Sequence, residues 1–460
     1  MAGIGFVLRK LSKSDDLSGV VQAFIYSTFI SSGPWLFSVI ALSIILSFGA
    51  EIIPFDGVRN FQLIIVYNFS FSFVIFGIFS LVITRFISDY IYNDNMEAIA
   101  GMMIGSLVLM YLIAVPLCYF FYFHIASFSS QIAFSAVLNF MIVIGVWHIS
   151  VFLSTLKDYK TISFSFLIGM GFSVIAAFYL GEKFSTIGML NGFSLGLCVI
   201  LAVLFAQVFY EYPFLIKKPF AFLKYFPKYW QFFVAGLSYN IAVWVDKWIM
   251  WFSPEAMVSK SGLPYDLYYS SATFLGYLTI IPALGFFTFN IETKFNDKLM
   301  TFYCSIENKA TLEQINYNHM DLIKSLFSSL MNFIVLQGSI TLIIVLLASR
   351  LLDVLGMPTL QLGIFRYAVL GSFFQIFSVF FLILLYYFDH RNGAMMVNLV
   401  FLFSNTILTL ISIKMGFSYY GIGFFLSSLI TFVFSAIVTV HYLGNLPLHT
   451  FITRNKVSKF

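Results

Sequence analysis

Hydrophobic and polar positions do not alternate along this chain. They segregate into long apolar runs separated by short polar breaks. A membrane-crossing helix needs about 20 mostly apolar residues, and a window of that width finds about twelve candidates. They fall near 20–49, 61–88, 101–123, 131–155, 161–180, 186–210, 229–252, 268–291, 322–347, 364–388, 394–413 and 418–443. The runs are continuous, whereas transmembrane barrel strands are about ten residues long and alternate between two faces. The pattern therefore predicts an all-α polytopic membrane protein. Gly33-Pro34 interrupts the first run. A Pro at that depth frees a backbone carbonyl, which protein, water or a cavity must then satisfy.

Composition agrees with the pattern. Of 460 residues, 60% are apolar and 10% charged, where a soluble domain is nearer a quarter charged. A water-soluble enzyme is excluded, and 59 Phe, 26 Tyr and 6 Trp exclude a disordered chain. Cys118 and Cys198 lie in apolar runs and Cys304 in a polar loop, so no disulfide framework is expected. The basic start with Arg9, Lys10 and Lys13 leads into an apolar run too long for a signal peptide.

The scarce charges set the orientation. An even number of crossings puts both termini on one side. With the N-terminus inside, the inner side carries about three times as many Lys and Arg as the outer, a positive-inside bias. Both termini are therefore expected on the cytoplasmic side of the membrane. The expected organisation is a cytoplasmic N-terminus (1–19), a six-helix bundle (20–210), a linker (211–228), a second six-helix bundle (229–443) and a cytoplasmic tail (444–460). The linker mixes Lys with Phe and Tyr, which suits the headgroup region. Inside the second bundle, 292–321 reads as a cytoplasmic loop. Phe295, Leu299, Phe302 and Ile306 recur there at helical spacing, so part of it is expected to lie on the membrane or to dock a partner. The outer loops are short, which argues against chemistry in a large outer domain.

No catalytic motif is present: no Walker A, G-x-S-x-G, H-E-x-x-H or Cys-x-x-Cys. No cofactor, metal or nucleic-acid partner is expected, and the chain reads as a non-enzyme. The informative residues are those that break an apolar run. Asp246 and Lys247 lie inside the seventh run, where a charge costs about 2.5–3.5 kcal/mol at a span's centre. Adjacent helical residues point about 100° apart, so the two read as poor partners for each other. Asn240, Val243 and Lys247 share one face. Trp244, Trp248 and Trp251 share another, expected in an outer aromatic belt. Asp246 and Lys247 either line a polar path or are structural. Arg85 and Arg366 sit at span ends and read as snorkelling, with Arg366 alternatively reaching Asp246. His148, deep in the fourth run, reads more readily as a helix contact than as a proton relay. Asn68, Asn139, Asn332, Asn398 and Asn405 are cavity amides or helix-to-helix glue.

The opening Met1-Ala2-Gly3-Ile4-Gly5-Phe6, followed by Leu8-Arg9-Lys10, resembles the start of the PelG family, inner-membrane transporters of the Pel exopolysaccharide system. Ser32-Gly33-Pro34-Trp35 and the Trp244–Trp248 stretch are also similar. Val7 departs from that family, where the position is often acidic. The resemblance extends over the whole chain in length, span number and loop pattern. It implies a member of the polysaccharide transporter branch of the MOP flippase superfamily, MATE-like, with two six-helix bundles around a central cavity and alternating access. It implies an amino-sugar-rich exopolysaccharide as substrate. The partners it implies are a cytoplasmic glycosyltransferase similar to PelF and membrane subunits similar to PelD, which reads cyclic di-GMP, and PelE. No site residue carries over from it. Three other readings stay open: a cation-coupled drug antiporter of the same superfamily, a membrane-embedded glycosyltransferase or polymerase, and a synthase scaffold.

Overall fold

The computed structural model describes residues 17–93, 96–212, 216–290 and 295–449, with side chains of the first helix from Val21 onward. The opening motif and the 292–294 part of the polar loop lie outside them. The long helices are α1 (Leu17–Ile52), α2 (Phe55–Tyr92), α3 (Glu97–Phe120), α4 (Ser130–Thr155), α5 (Tyr159–Glu211), α6 (Trp230–Met250), α7 (Leu267–Leu278), α8 (Ile281–Asn290), α9 (Asn296–Glu307), α10 (Leu312–Val354), α11 (Leu362–Tyr387), α12 (Arg391–Met415) and α13 (Ile422–Gly444). A two-stranded hairpin, β1 (Met257–Val258) and β2 (Pro264–Tyr265), follows α6. Among the described residues, ten helical stretches are long and apolar enough to cross a membrane.

The ten stretches become the expected twelve crossings for two reasons. The first is α5, at 53 residues about twice the length a crossing needs. It reverses at Ser185, which adopts φ 55°, a backbone conformation uncommon outside glycine. Its two arms close as an antiparallel hairpin along a small-residue seam. A Cβ on Gly192 would stand 2.4 Å from the Ala176 backbone, and one on Gly196 would stand 2.5 Å from the Gly169 carbonyl. Small residues at such spacing let helix backbones touch, the main source of helix association in lipid. The second is α6, whose 21 residues suffice to cross although Asp246 and Lys247 lower its hydropathy.

Helix ends follow local chemistry. Ser129, Asp158 and Thr311 cap α4, α5 and α10 by accepting from backbone N–H groups of Ile132, Thr161 and Gln314. The 268–291 run is not one helix. Pro282 has no N–H to continue the ladder, and the helix breaks between α7 and α8 at Thr279-Ile280. The Thr279 carbonyl freed there accepts from the Gln337 amide of α10 at 3.2 Å, which keeps a helix break tolerable in an apolar interior.

The chain forms two compact units, and their boundaries are not at the 211–228 linker. One unit is Ser32–Leu267; the other joins the chain up to Ser31 with Tyr268 onward. The division therefore passes through α1, just before Pro34. In the Ser32–Leu267 unit, α6 packs on α2 so closely that a Cβ on Gly236 would stand 2.4 Å from the Gly77 carbonyl. Trp248 stacks on Phe71 at 5.1 Å and Trp251 on Tyr67 at 4.3 Å. The tryptophans expected in an outer belt thus include two that pack inward. In the other unit, Ser27 donates to the Gly285 carbonyl at 2.9 Å, bringing the start of α1 against α8.

The described part of the linker forms no long helix. It is a 3-10 turn (Ala221–Lys224) and one α turn (Tyr225–Lys228) docked on α2 and α3. Phe222 is fully buried, Phe226 packs edge-on to Phe79, and Lys217 pairs with Glu97. Ile216, Phe220 and Leu223 remain exposed beside the lysines.

Candidate functional site

The seventh run places its charges as expected in depth and unexpectedly in pairing. Asp246 on α6 is 0% exposed and Lys247 9%. Lys247 Nζ donates to both Asp246 carboxylate oxygens and to the Val243 carbonyl, each at 3.0 Å. The two adjacent residues are therefore partners, contrary to the geometric argument from the helix wheel. A four-carbon Lys stem is long enough to turn its ammonium back along the helix. In a dry interior the nearest opposite charge outweighs the awkward torsions. Asn240, about two turns earlier, donates to the Phe73 carbonyl of α2 at 2.9 Å. Trp244 is half-buried.

The remaining candidates separate. Arg85 pairs with Asp89 at 3.1 Å, with its guanidinium 5.4 Å from the centre of the Tyr229 ring. That contact fastens the residue just after the linker to the end of α2. Burial, with the Asp89 carboxylate beside it, pushes the Tyr225 phenol up to about 12, so it stays neutral. Arg366 is exposed at the start of α11 in the other unit. His148 is fully buried, with Nε2 3.1 Å from both Ser106 Oγ and the Met103 carbonyl, which makes it a contact between α4 and α3. Asn68 and Asn139 join each other at 2.8 Å, and Tyr122 and Ser194 complete the network. This is helix-to-helix glue in which hydrogen bonds replace water. Asn405 accepts from Ser427 and Asn398 donates to Tyr386, while Asn332 is exposed.

The polar loop also differs from expectation. Phe295, Leu299 and Phe302 are buried in the core of their own unit, and Ile306 packs against it. Phe295 meets Phe388, and Lys298 ties α9 to Asp321 of α10 at 2.6 Å. That apolar face is used up internally and can neither lie on a membrane nor receive a partner. The large hydrophobic residues exposed here are Met300, Leu312, Tyr317 and Met320.

Two features escaped the sequence reading. One is the α7–α8 break with its Gln337 clamp. The signal for it was Pro282, which a hydropathy window ignores. The other is an aromatic group on α2 and α4. Trp147 packs against Phe69, Phe73 and Phe76 at centroid distances of 6.1, 5.5 and 6.4 Å. Among 59 Phe no local signal singled these out.

The arrangement is one of deep polar groups in helices that hold each other by backbone contact, with no cluster of His, Cys, Asp or Glu able to hold a metal among the described residues. The model of the family described as "PelG: Putative exopolysaccharide Exporter (EPS-E)" matches residues 1–451. The chain belongs to the PelG family. None of the curated proteins matches the sequence. Several solved structures share the fold of this PelG-family chain. An outward-facing multidrug resistance MATE family transporter of the MOP superfamily is 12% identical, with a TM-score of 0.62 over 96% of this chain and 98% of that one. A MOP superfamily transporter from Pyrococcus furiosus is 12% identical, with a TM-score of 0.58 over 96% and 97%. A MATE structure in the bent conformation is also 12% identical, with a TM-score of 0.58 over 96% and 99%. Family and fold are those of multi-pass membrane transporters.

Proposed function

We propose that this PelG-family chain exports an amino-sugar-rich exopolysaccharide across the bacterial inner membrane. It would take the polymer from a cytoplasmic glycosyltransferase similar to PelF and work beside membrane subunits similar to PelD and PelE. The observation that carries this reading is the match of an exporter family over residues 1–451 in a chain with a MOP transporter fold. The chain itself supplies no catalysis in this reading. Both termini and α9 lie on the cytoplasmic side, consistent with the positive-inside bias.

The start of α1 belongs to one unit and the rest to the other, with Pro34 close by. Pro34 breaks one rung of the helix ladder and makes this the natural place for α1 to flex. Related MATE structures exist in straight and bent conformations. A glycosyltransferase would dock on the exposed residues Leu312, Tyr317 and Met320. They sit on the part of α10 that a 43-residue helix, about 65 Å long, extends beyond a hydrocarbon core of about 30 Å.

Deleting the gene in its host tests the reading. Secreted hexosamine polymer should disappear, and reintroducing the chain should restore it. Undiminished secretion by the deletion strain refutes the exporter function.

A further inference from the structure

One face of α2 has a character of its own. Gln62, Val66, Phe69, Phe73, Phe76 and Ser80 recur at alternating steps of four and three residues, so they form one helical stripe. All six are half-buried. Core positions of the same helix, such as Phe61, Ile64 and Phe79, are closed to solvent. Outward faces elsewhere look different again. Val335, Leu342 and Leu346 of α10 are exposed by 60% or more and purely apolar, as a lipid-facing surface should be. The α2 stripe is neither. It is aromatic in the middle, polar at both ends and only partly accessible, the mixture found in ligand sites.

Trp147 of α4 completes the face. Its ring meets Phe69 and Phe73 edge-on and lies more nearly parallel to Phe76. Its indole Nε1 is shielded from solvent and has no acceptor among the described residues. A buried Trp N–H ordinarily finds a partner. Ser150 and Ser154, half-buried on the same side of α4, continue the polar edge.

We infer that Phe69, Phe73, Phe76 and Trp147 form a stacking platform for the pyranose rings of a carbohydrate polymer, with the Trp147 indole donating to a sugar hydroxyl. A pyranose presents an apolar face of C–H groups and a polar rim of hydroxyls. Aromatic rings cover the first and an indole N–H serves the second. The three phenylalanines extend about 10 Å along the helix, so they offer successive ring faces rather than one closed pocket. Several weak contacts in series also suit transport, because each must be strong enough to admit a unit and weak enough to release it. This inference rests on the exporter reading, and the test separates the two.

The F73L/F76L double variant keeps the apolar bulk and removes two ring faces, and Trp147→Phe keeps a ring and removes only the donor. Each full-length variant is returned to the deletion strain, its membrane abundance checked, and secreted hexosamine polymer measured. With abundance unchanged, F73L/F76L should lower secretion by about tenfold, as loss of two stacking contacts implies, and Trp147→Phe should lower it less. Wild-type secretion by F73L/F76L overturns the platform while leaving the exporter reading intact. Undiminished secretion by the deletion strain overturns the exporter reading and the platform with it.

Discussion

Asp246 and Lys247 stand or fall together. Replacing Lys247 by Met would leave a carboxylate that is 0% exposed without its ammonium, a loss of about 3–5 kcal/mol for a broken buried pair. The K247M protein should therefore melt well below wild type in detergent. The double change D246N/K247M removes both charges and should recover most of that stability. Polymer secretion by the double variant then reports on function alone. It should fall if the pair serves the path, and normal secretion would make the pair structural. The depth of these two residues was legible in the sequence, because charges within an apolar run are expensive. Their partnership was not. It depends on a side-chain torsion that brings Nζ back along the helix, which the wheel of Cβ positions does not describe.

Elements here are joined through residues that carry no side chain. Gly236 in α6 is one of them. Its role is that α2 crosses at backbone distance, with the Gly77 carbonyl where a Cβ would be. Gly236→Val should force the helices apart and cost about 1–3 kcal/mol or more. Fluorescence-detected size exclusion after a heating series should show a lowered midpoint. An unchanged midpoint would mean that the crossing is looser than described. The same logic explains the misread loop. The spacing of Phe295, Leu299 and Phe302 correctly announced an amphipathic helix. Periodicity says that one face is apolar but not what covers it, and here the covering is the chain's own helices. The linker shows the same division, with Phe222 buried against protein and Phe220 exposed.

At the scale of the molecule, orientation is testable with a native thiol. Cys304 on α9 is exposed, whereas Cys118 is buried. With α9 on the cytoplasmic side, a membrane-impermeant maleimide should leave Cys304 unlabelled in intact cells and label it once the membrane is opened. Labelling from outside would invert the topology. The sequence by itself determined that the chain crosses a membrane many times as helices, about where each crossing lies and which side its cations favour. These follow from hydrophobic transfer and charge asymmetry, both of which add up along the chain. Only the tertiary structure decided which helices belong together. It assigned α6 to the Ser32–Leu267 unit and the start of α1 to the other. In an interior where every helix is about equally apolar, hydrophobicity cannot rank partners. Backbone contact at Gly77 and Gly236, ring stacking of Trp251 on Tyr67, and the Ser27 hydrogen bond to Gly285 make that choice. Each depends on two residues far apart in sequence meeting in space.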